Sequence, residues 1–187
     1  MHLKIADSPV TMDELNQIKG DPVIRQVRKL KDIEGIFSQP KALNGMDKEQ
    51  TVYLVEAWMP VPEGTLGGLF FGVSTIYPGK VGNEFFMTKG HFHEKSDRAE
   101  FYWGIKGEGM LLLMDRERNT RAEKVYPGSI HYIGSEIAHR LANTGPMELI
   151  VGACWPSDSG HDYDEIAQSG FSARLVNIDG RLTLIND

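Results

Sequence analysis

The stretch Thr88-Lys89-Gly90-His91-Phe92-His93, followed by Glu94-Lys95-Ser96-Asp97-Arg98-Ala99-Glu100, decides how the chain is interpreted. Residues i and i+2 of a β-strand face the same side, so His91 and His93 can offer two imidazole nitrogens to one ion. The polar residues that follow predict a turn, after which Glu100 on the next strand can return to the same site. His139, on a later predicted strand, would complete a set of three histidines and one carboxylate with positions open for substrate or water.

Outward from this stretch, the sequence runs in short segments rich in β-branched and aromatic residues. The segments are 51–59, 66–77, 83–89, 99–105, 109–115, 121–126, 130–133, 139–143 and 147–155. Turn signals such as Pro78-Gly79 and Pro127-Gly128 separate them. Strands at this spacing predict an all-β barrel or sandwich.

The first 50 residues are predicted to form an N-terminal arm that belongs to the same unit as a main domain over 51–187. Two short helices are predicted in the arm, at 11–19 and 27–37, the first from the capping-box spacing of Thr11 and Glu14. The polar segment 39–50 is predicted to be a loop.

The C-terminal part of the sequence predicts one late helix and a hairpin. The helix is expected over 163–169, with Asp162 as its cap and Gly170 closing it in a left-handed conformation. The hairpin is expected from 171–176 and 181–185, with Asp179-Gly180 in the turn.

Composition narrows the class of protein. With 187 residues, 41% hydrophobic and 25% charged, the chain fits one soluble globular domain, and no apolar run approaches the length of a membrane span. Its single cysteine, Cys154, excludes an intramolecular disulfide, and the start of the chain shows no targeting pattern, so a cytoplasmic protein is expected. The net charge of −6 disfavours nucleic acid, whereas a few local donors can still hold a small anion.

The spacing of the candidate ligands resembles the two motifs of the cupin superfamily. These are His91-x-His93 with Glu100 and Gly107 beyond it, and His139 followed four residues on by Asn143. The resemblance implies a small β-barrel of jelly-roll type and a bound metal. Asp97 is an alternative fourth ligand, because it keeps the shorter spacing usual in cupins.

A longer ordered series resembles the cupin-type glucose-6-phosphate isomerases of archaea and some bacteria. It consists of Tyr77-Pro78-Gly79-Lys80-Val81-Gly82, Glu84-Phe85-Phe86, Thr88-Lys89-Gly90-His91-Phe92-His93, Asp97-Arg98-Ala99-Glu100 and Gly160-His161-Asp162-Tyr163. This series accounts for the wide gap between His93 and Glu100, and it favours Glu100 over Asp97.

The resemblance implies reversible conversion of glucose 6-phosphate and fructose 6-phosphate by a homodimer. One divalent metal, with Fe²⁺ expected first and Mn²⁺, Ni²⁺ or Zn²⁺ as alternatives, would be bound by residues corresponding to His91, His93, Glu100 and His139. The metal would stabilise enediolate charge while Glu100 moves a proton between C1 and C2, unless Glu100 remains a tight ligand and a hydride shift occurs instead.

Further positions follow from the same resemblance. His161 would help open the pyranose ring by proton transfer. The sugar-phosphate pocket would be lined by Ser74, Thr88, Gly90, Tyr102 and Tyr163. Because Thr88 and Lys89 alternate on a regular strand, only one of them is expected to face inward.

Two other functions suit part of the pattern. Three histidines and one glutamate also fit a cupin dioxygenase, which gives no role to Thr88-Lys89-Gly90 or to Gly160-His161-Asp162-Tyr163. A sugar-sensing or storage cupin with a structural metal is the non-enzymatic alternative, but sensors usually carry a DNA-binding domain, for which the chain has no room or basic patch.

Overall fold

The computed structural model describes residues 5–187, and strands dominate it. The strands are β1 (Val10–Met12), β2 (Ile18–Gly20), β3 (Val23–Lys29), β4 (Thr51–Trp58), β5 (Leu69–Ile76), β6 (Lys80–Val81), β7 (Glu84–Phe85), β8 (Glu100–Lys106), β9 (Gly109–Met114), β10 (Thr120–Val125), β11 (Ile130–Ile133), β12 (Ala138–Asn143), β13 (Leu149–Pro156), β14 (Ala173–Ile178) and β15 (Arg181–Asn186). Helical structure in the described residues consists of 3-10 turns at Leu30–Asp32, Glu34–Ile36 and Pro40–Leu43 and of helix α1 (Asp164–Ser169).

Two facing layers of antiparallel strands enclose the core. One layer is a six-stranded sheet in the order β11-β8-β13-β5-β4-β3. The other combines a three-stranded sheet, β10-β9-β12, with a four-stranded sheet, β15-β14-β7-β6. Bridges from Met87 to Ala142 and from His91 to His139 join these two smaller sheets along one line.

The main core lies between the layers. Val52 and Ile76 of the six-stranded sheet and Leu111, Leu113 and Leu141 of the opposite layer are all at most 2% exposed. This arrangement confirms the predicted all-β cupin (jelly-roll) fold, and most of the predicted barrel strands form within one or two residues of their expected bounds. The metal-site segment differs, because regular strand pairing ends at Phe85 and only isolated bridges follow.

The helix predicted over 11–19 is wrong, and only short 3-10 helices form within the range 27–37 predicted for the second. Residues 11–19 form a hairpin instead, because the Asp13 carboxylate accepts the backbone N–H groups of Leu15 and Gln17 and stabilises a turn in which Asn16 has φ of 60°. Residues 23–29 pair along β4, from Val23 opposite Trp58 to Lys29 opposite Thr51. Tertiary pairing therefore overrides the helical pattern, and only short 3-10 turns remain after Lys29.

The C-terminal predictions are confirmed with small shifts. Helix α1 begins two residues after Asp162, whose carboxylate accepts the backbone N–H of Asp164. The last two strands form the expected hairpin, with Asp179 and Gly180 at φ of 50° and 80° in its turn. No helix in residues 5–187 is long and apolar enough to cross a lipid bilayer.

Candidate metal centre and substrate cavity

Four side chains predicted from the sequence meet at one point inside the barrel. His91 and His93 come from the extended segment after β7, Glu100 from the start of β8, and His139 from β12. One ligand atom from each lies within 4.8 Å of the ligand atoms of the other three. Nε2 of His139 is 2.6 Å and Nε2 of His93 is 3.3 Å from Oε1 of Glu100. The set is the three-histidine, one-carboxylate constellation expected for a divalent transition metal.

Three atoms of this cluster are buried and have no hydrogen-bond partner among residues 5–187. They are Nε2 of His91, Oε1 of Glu100 and Nε2 of His139. The 2.6 Å approach of His139 to Glu100 lacks hydrogen-bond alignment, so the two atoms converge on a common point rather than on each other. Buried polar atoms left in this way are costly unless something else binds them, and a metal ion fits all three.

Backbone carbonyls orient two of the imidazoles. Nδ1 of His93 is 3.0 Å from the Arg98 carbonyl, and Nδ1 of His139 is 3.2 Å from the Ile137 carbonyl. A carbonyl only accepts, so each Nδ1 carries the proton and each Nε2 keeps a free lone pair for a metal.

The protonation states of the cluster also suit a metal. Burial, together with the neighbouring imidazoles, lowers the pKa of His91 well below its usual value, so this ring is neutral at pH 7. Although burial opposes it, a proton carried by His139 or His93 next to the carboxylate lowers the pKa of Glu100 to about 2, and Glu100 in turn raises the pKa of His93; a metal would take the place of that proton. A neutral imidazole and an ionised carboxylate are the forms that ligate metals.

The alternative ligand Asp97 is not part of this cluster. Its side chain is 75% exposed and pairs with Nη1 of Arg98 at 2.8 Å. The turn that contains it is fixed on the other side by Asp158, which accepts hydrogen bonds from Arg98 and Lys95. The structure therefore brings Glu100, and not Asp97, to the three histidines.

A cavity of about 550 Å³ opens beside the cluster. His91, Glu100 and His139 form part of its wall, while His93 lies behind them. The sequence-predicted substrate residues also line it: Ser74, Thr88, Gly90, Tyr102, His161 and Tyr163. A volume of this size admits a phosphorylated hexose.

The expectation that only one of Thr88 and Lys89 faces inward applies to a regular strand, which this segment does not form. Both line the cavity, because this segment is not a regular strand. Oγ1 of Thr88 accepts the backbone N–H of Leu141, and Nζ of Lys89 lies 5.8 Å from the centre of the Tyr163 ring.

His161 and Tyr102 sit on two sides of the metal cluster. The His161 ring is exposed at the mouth, 4.5 Å from the ring of His91 and stacked on Tyr163. The Tyr102 ring meets His139 edge-on at 5.7 Å. Burial, reinforced by the Glu100 carboxylate, raises the pKa of Tyr102 well above its usual value, so its phenol remains a hydrogen-bond donor.

Arg28 and Tyr53 also line the cavity, although no sequence pattern predicted a role for either. Burial raises the pKa of Tyr53 and of Tyr163, and the nearby Arg28 guanidinium opposes that shift at both phenols. Arg28 was not predicted to line the cavity because its segment was predicted to be helical. The segment instead pairs as β3 with β4, which places Arg28 beside the cavity. Arg28 and Lys89 make this end of the cavity cationic.

Comparison with known proteins gives one consistent result. The sequence model of a family described as glucose-6-phosphate isomerase matches residues 27–185. The glucose-6-phosphate isomerase of Thermococcus litoralis is 42% identical over 160 residues, which cover 86% of this chain and 84% of the relative. A putative glucose-6-phosphate isomerase 1 of Rhizobium meliloti is 39% identical over 158 residues, covering 82% and 72%. Among solved structures, an oxalate decarboxylase mutant of Bacillus subtilis superposes with a TM-score of 0.47 at 16% identity, over 64% of this chain and 30% of that chain.

Proposed function

The chain belongs to the glucose-6-phosphate isomerase family, and we propose that it interconverts glucose 6-phosphate and fructose 6-phosphate at the centre formed by His91, His93, Glu100 and His139. The observation that carries this assignment of the site is the convergence of three unpartnered buried atoms on one point in the cavity wall. The cavity beside that point has the size and the cationic end that a sugar phosphate requires.

The cluster is proposed to hold one divalent metal, Fe²⁺ in the first place. Bound there, the metal would act as a Lewis acid toward the oxygens on C1 and C2 of the open-chain sugar. The two oriented imidazoles keep their lone pairs on Nε2, and the ionised Glu100 offsets part of the cation's charge. Mn²⁺, Ni²⁺ and Zn²⁺ suit the same donor atoms.

Glu100 is proposed to move the proton between C2 and C1. Its carboxylate is buried, away from bulk water, and lies in the wall of the cavity beside the proposed metal position. His161, at the mouth and beside His91, is placed to exchange a proton with the ring oxygen or O1 when the pyranose opens. Tyr102 supplies a buried phenol that donates to a sugar hydroxyl.

The phosphate is proposed to bind at the cationic end of the cavity. Thr88, Gly90 and Ser74 contribute hydroxyl and backbone donors there, and Tyr163 closes the side. Arg28 has no carboxylate within ion-pair distance among residues 5–187, and its guanidinium donates to neutral groups, Oε1 of Gln26 at 3.1 Å and the Val27 carbonyl at 3.4 Å. It is therefore available to a dianionic phosphate.

We also propose a homodimer that works in the cytoplasm, where sugar phosphates are made and retained because of their charge. The outer face of β8 and β11 carries Phe101, Ile130 and Tyr132, each more than half exposed. Phe101 and Tyr132 are directly opposite each other, with ring centres 5.4 Å apart. An exposed apolar patch of this kind is typical of an interface.

The decisive experiment measures glucose 6-phosphate isomerisation by chelator-stripped protein, before and after addition of Fe²⁺, Mn²⁺, Ni²⁺ or Zn²⁺, with His91→Ala as the control. Activity restored by metal in the wild type alone supports the reaction and the site. Oxygen uptake, with no isomerisation under any metal, would replace this function with that of a dioxygenase. Metal binding with neither isomerisation nor oxygen uptake would favour a non-enzymatic role.

A second experiment separates the two routes for hydrogen. Substrate deuterated at C2 is converted in ordinary water, and the deuterium at C1 of the product is measured. Loss of label to solvent supports Glu100 as a proton carrier. Complete retention at C1 would favour a hydride shift and remove the base role from Glu100.

A further inference from the structure

Arg140 is a buried cation that forms no ion pair within residues 5–187. It follows His139 on β12 and is 6% exposed. No carboxylate in residues 5–187 lies within ion-pair distance of its guanidinium, which stays protonated in proteins. A buried charge that the protein does not neutralise calls for another partner.

Within the described residues, Arg140 contacts neutral groups. Nη2 donates to the Lys89 carbonyl at 2.6 Å, and Nη1 contacts Sδ of Met87 at 3.3 Å. The guanidinium carbon lies 4.2 Å from the centre of the Phe171 ring. Nε is buried without a partner. The short bond to Lys89 is therefore the one strong, directed contact of this side chain.

That contact fixes the direction of the next N–H group. The Lys89–Gly90 peptide is trans, and a trans peptide directs its C=O and its N–H to opposite sides. Arg140 holds the Lys89 carbonyl on the side away from the substrate cavity. The N–H of Gly90 consequently points toward the cavity that Thr88 and Gly90 line.

Gly90 makes this arrangement possible. Its φ is +78°, and a Cβ atom there would lie 2.8 Å from the Phe171 ring and 2.9 Å from Nε of Arg140. A glycine lets the guanidinium pack directly behind the peptide. The charge of Arg140 is thus separated from the cavity by little more than one peptide group.

We propose that Arg140 is a positioning residue for the substrate phosphate, holding the Lys89–Gly90 peptide so that the Gly90 N–H faces the phosphate and supplying the buried positive charge behind it. This inference rests on the proposed function, which puts the phosphate at this end of the cavity. Arg140 does not touch the substrate. Its field acts through the Lys89–Gly90 peptide, where Gly90 is buried and electrostatic interactions are stronger than in bulk water.

The test uses metal-loaded wild type, Arg140→Met and Arg140→Lys. For each, kcat and KM for glucose 6-phosphate, the inhibition constant of inorganic phosphate and the metal bound per chain are measured. In Arg140→Met we expect KM and the phosphate inhibition constant to rise by about tenfold or more, with kcat within about threefold and the metal content unchanged. Arg140→Lys, which keeps the charge, should recover most of the phosphate affinity.

Three results would overturn the proposal. One is a KM and a phosphate inhibition constant in Arg140→Met equal to those of the wild type. Another is a parallel loss of bound metal, which would make Arg140 a support for His139. The last is phosphate inhibition of the wild type that does not compete with substrate, because a second cavity of about 450 Å³ also borders Arg140 and would then hold the anion.

The outcome stays interpretable if a variant or the proposed function fails. Should Arg140→Met not fold, Arg140→Gln keeps one N–H for the carbonyl without the charge, and the same criteria apply. Should the wild type show no isomerase activity, the proposed function fails by itself. Calorimetric titration of wild type and variant with inorganic phosphate then still decides whether Arg140 supports an anion site.

Discussion

The guanidinium of Arg98 and the carboxylate of Asp158 are joined by two parallel hydrogen bonds, Nε to Oδ1 at 2.9 Å and Nη2 to Oδ2 at 2.7 Å. Lys95 adds a third bond to Oδ2 at 2.9 Å. Because the Arg98 carbonyl accepts the Nδ1–H of His93 at 3.0 Å, Asp158 anchors the turn that orients one metal-site imidazole. A residue just beyond β13 is therefore linked through Arg98 to His93, a proposed metal ligand in the segment before β8.

Asp158→Asn should weaken metal binding. Asparagine keeps one acceptor oxygen but loses the charge and the bidentate geometry, so the turn that holds His93 is less well fixed. Outer-shell changes of this kind cost about tenfold or more in metal affinity, and we expect the lower end of that range. Competition titration with a chromophoric chelator measures the effect.

Asp97→Asn is the matched control, because Asp97 also pairs with Arg98 but is largely exposed. Its metal affinity should equal that of the wild type, since exposed ion pairs contribute little. Equal losses in both variants would show that the Arg98 charge, rather than the buried Asp158, sets the turn. A loss in Asp97→Asn alone would favour Asp97 as a ligand.

Acid should reduce the stabilisation that Asp158 provides. Hydrogen bonds from Arg98 and Lys95 lower the pKa of its carboxyl below the ordinary value of 3.8. The unfolded chain then binds a proton at this group before the folded chain does, so the stabilisation is present above about pH 4 and decreases as the pH falls further. Thermal melts of metal-free wild type and Asp158→Asn should differ most at neutral pH and converge toward pH 2. A constant difference across this range would contradict the assignment.

The sequence predicted the barrel and the meeting of the four proposed ligands because both depend on local patterns. Strand segments such as residues 109–114 are apolar enough to be buried on both faces, and β9 is buried at every position. The His91-x-His93 spacing is likewise a local pattern, because both residues lie in one short segment. The spacing did not predict that the backbone around these histidines forms isolated bridges instead of a regular strand. This irregular backbone lets Thr88 and Lys89 both line the cavity.

Arg28 and Arg140 could not be assigned from the sequence, for two different physical reasons. The segment of Arg28 has a pattern compatible with a helix, and only pairing with β4, more than 20 residues later, makes it a strand. Arg140 lies beside a predicted ligand, but its role depends on the absence of any carboxylate within ion-pair distance among residues 5–187 and on a carbonyl 51 residues away in the sequence. Both facts belong to tertiary structure.

Glu100→Gln should lower kcat sharply, by about a hundredfold or more, because it removes both a charged ligand and the proposed base. Bound metal per chain and the circular dichroism spectrum are measured alongside, to separate loss of metal from loss of chemistry. Glu117→Gln, at an exposed position, is the control and should behave like the wild type. Near wild-type turnover in Glu100→Gln would remove Glu100 from both the ligand set and the base role.

Arg28→Ala should raise KM for glucose 6-phosphate with little change in kcat, since Arg28 is proposed to bind the phosphate and lies away from the reacting carbons. An increase of about tenfold or more is expected, roughly the effect of one charge-assisted hydrogen bond. The increase should shrink at high ionic strength, because salt screens the partly exposed Arg28 in the wild type.

Lys29→Ala provides the comparison on the same strand. Lys29 pairs with Glu49 at 2.8 Å on the protein surface, and both side chains are at least 40% exposed. Removing it changes the net charge by the same amount as Arg28→Ala, so it tests whether general electrostatic attraction suffices. If Arg28 binds the phosphate directly, KM rises only in Arg28→Ala. A similar rise in both variants would assign the effect to the overall field of the arm and leave phosphate recognition to Thr88, Gly90 and Lys89.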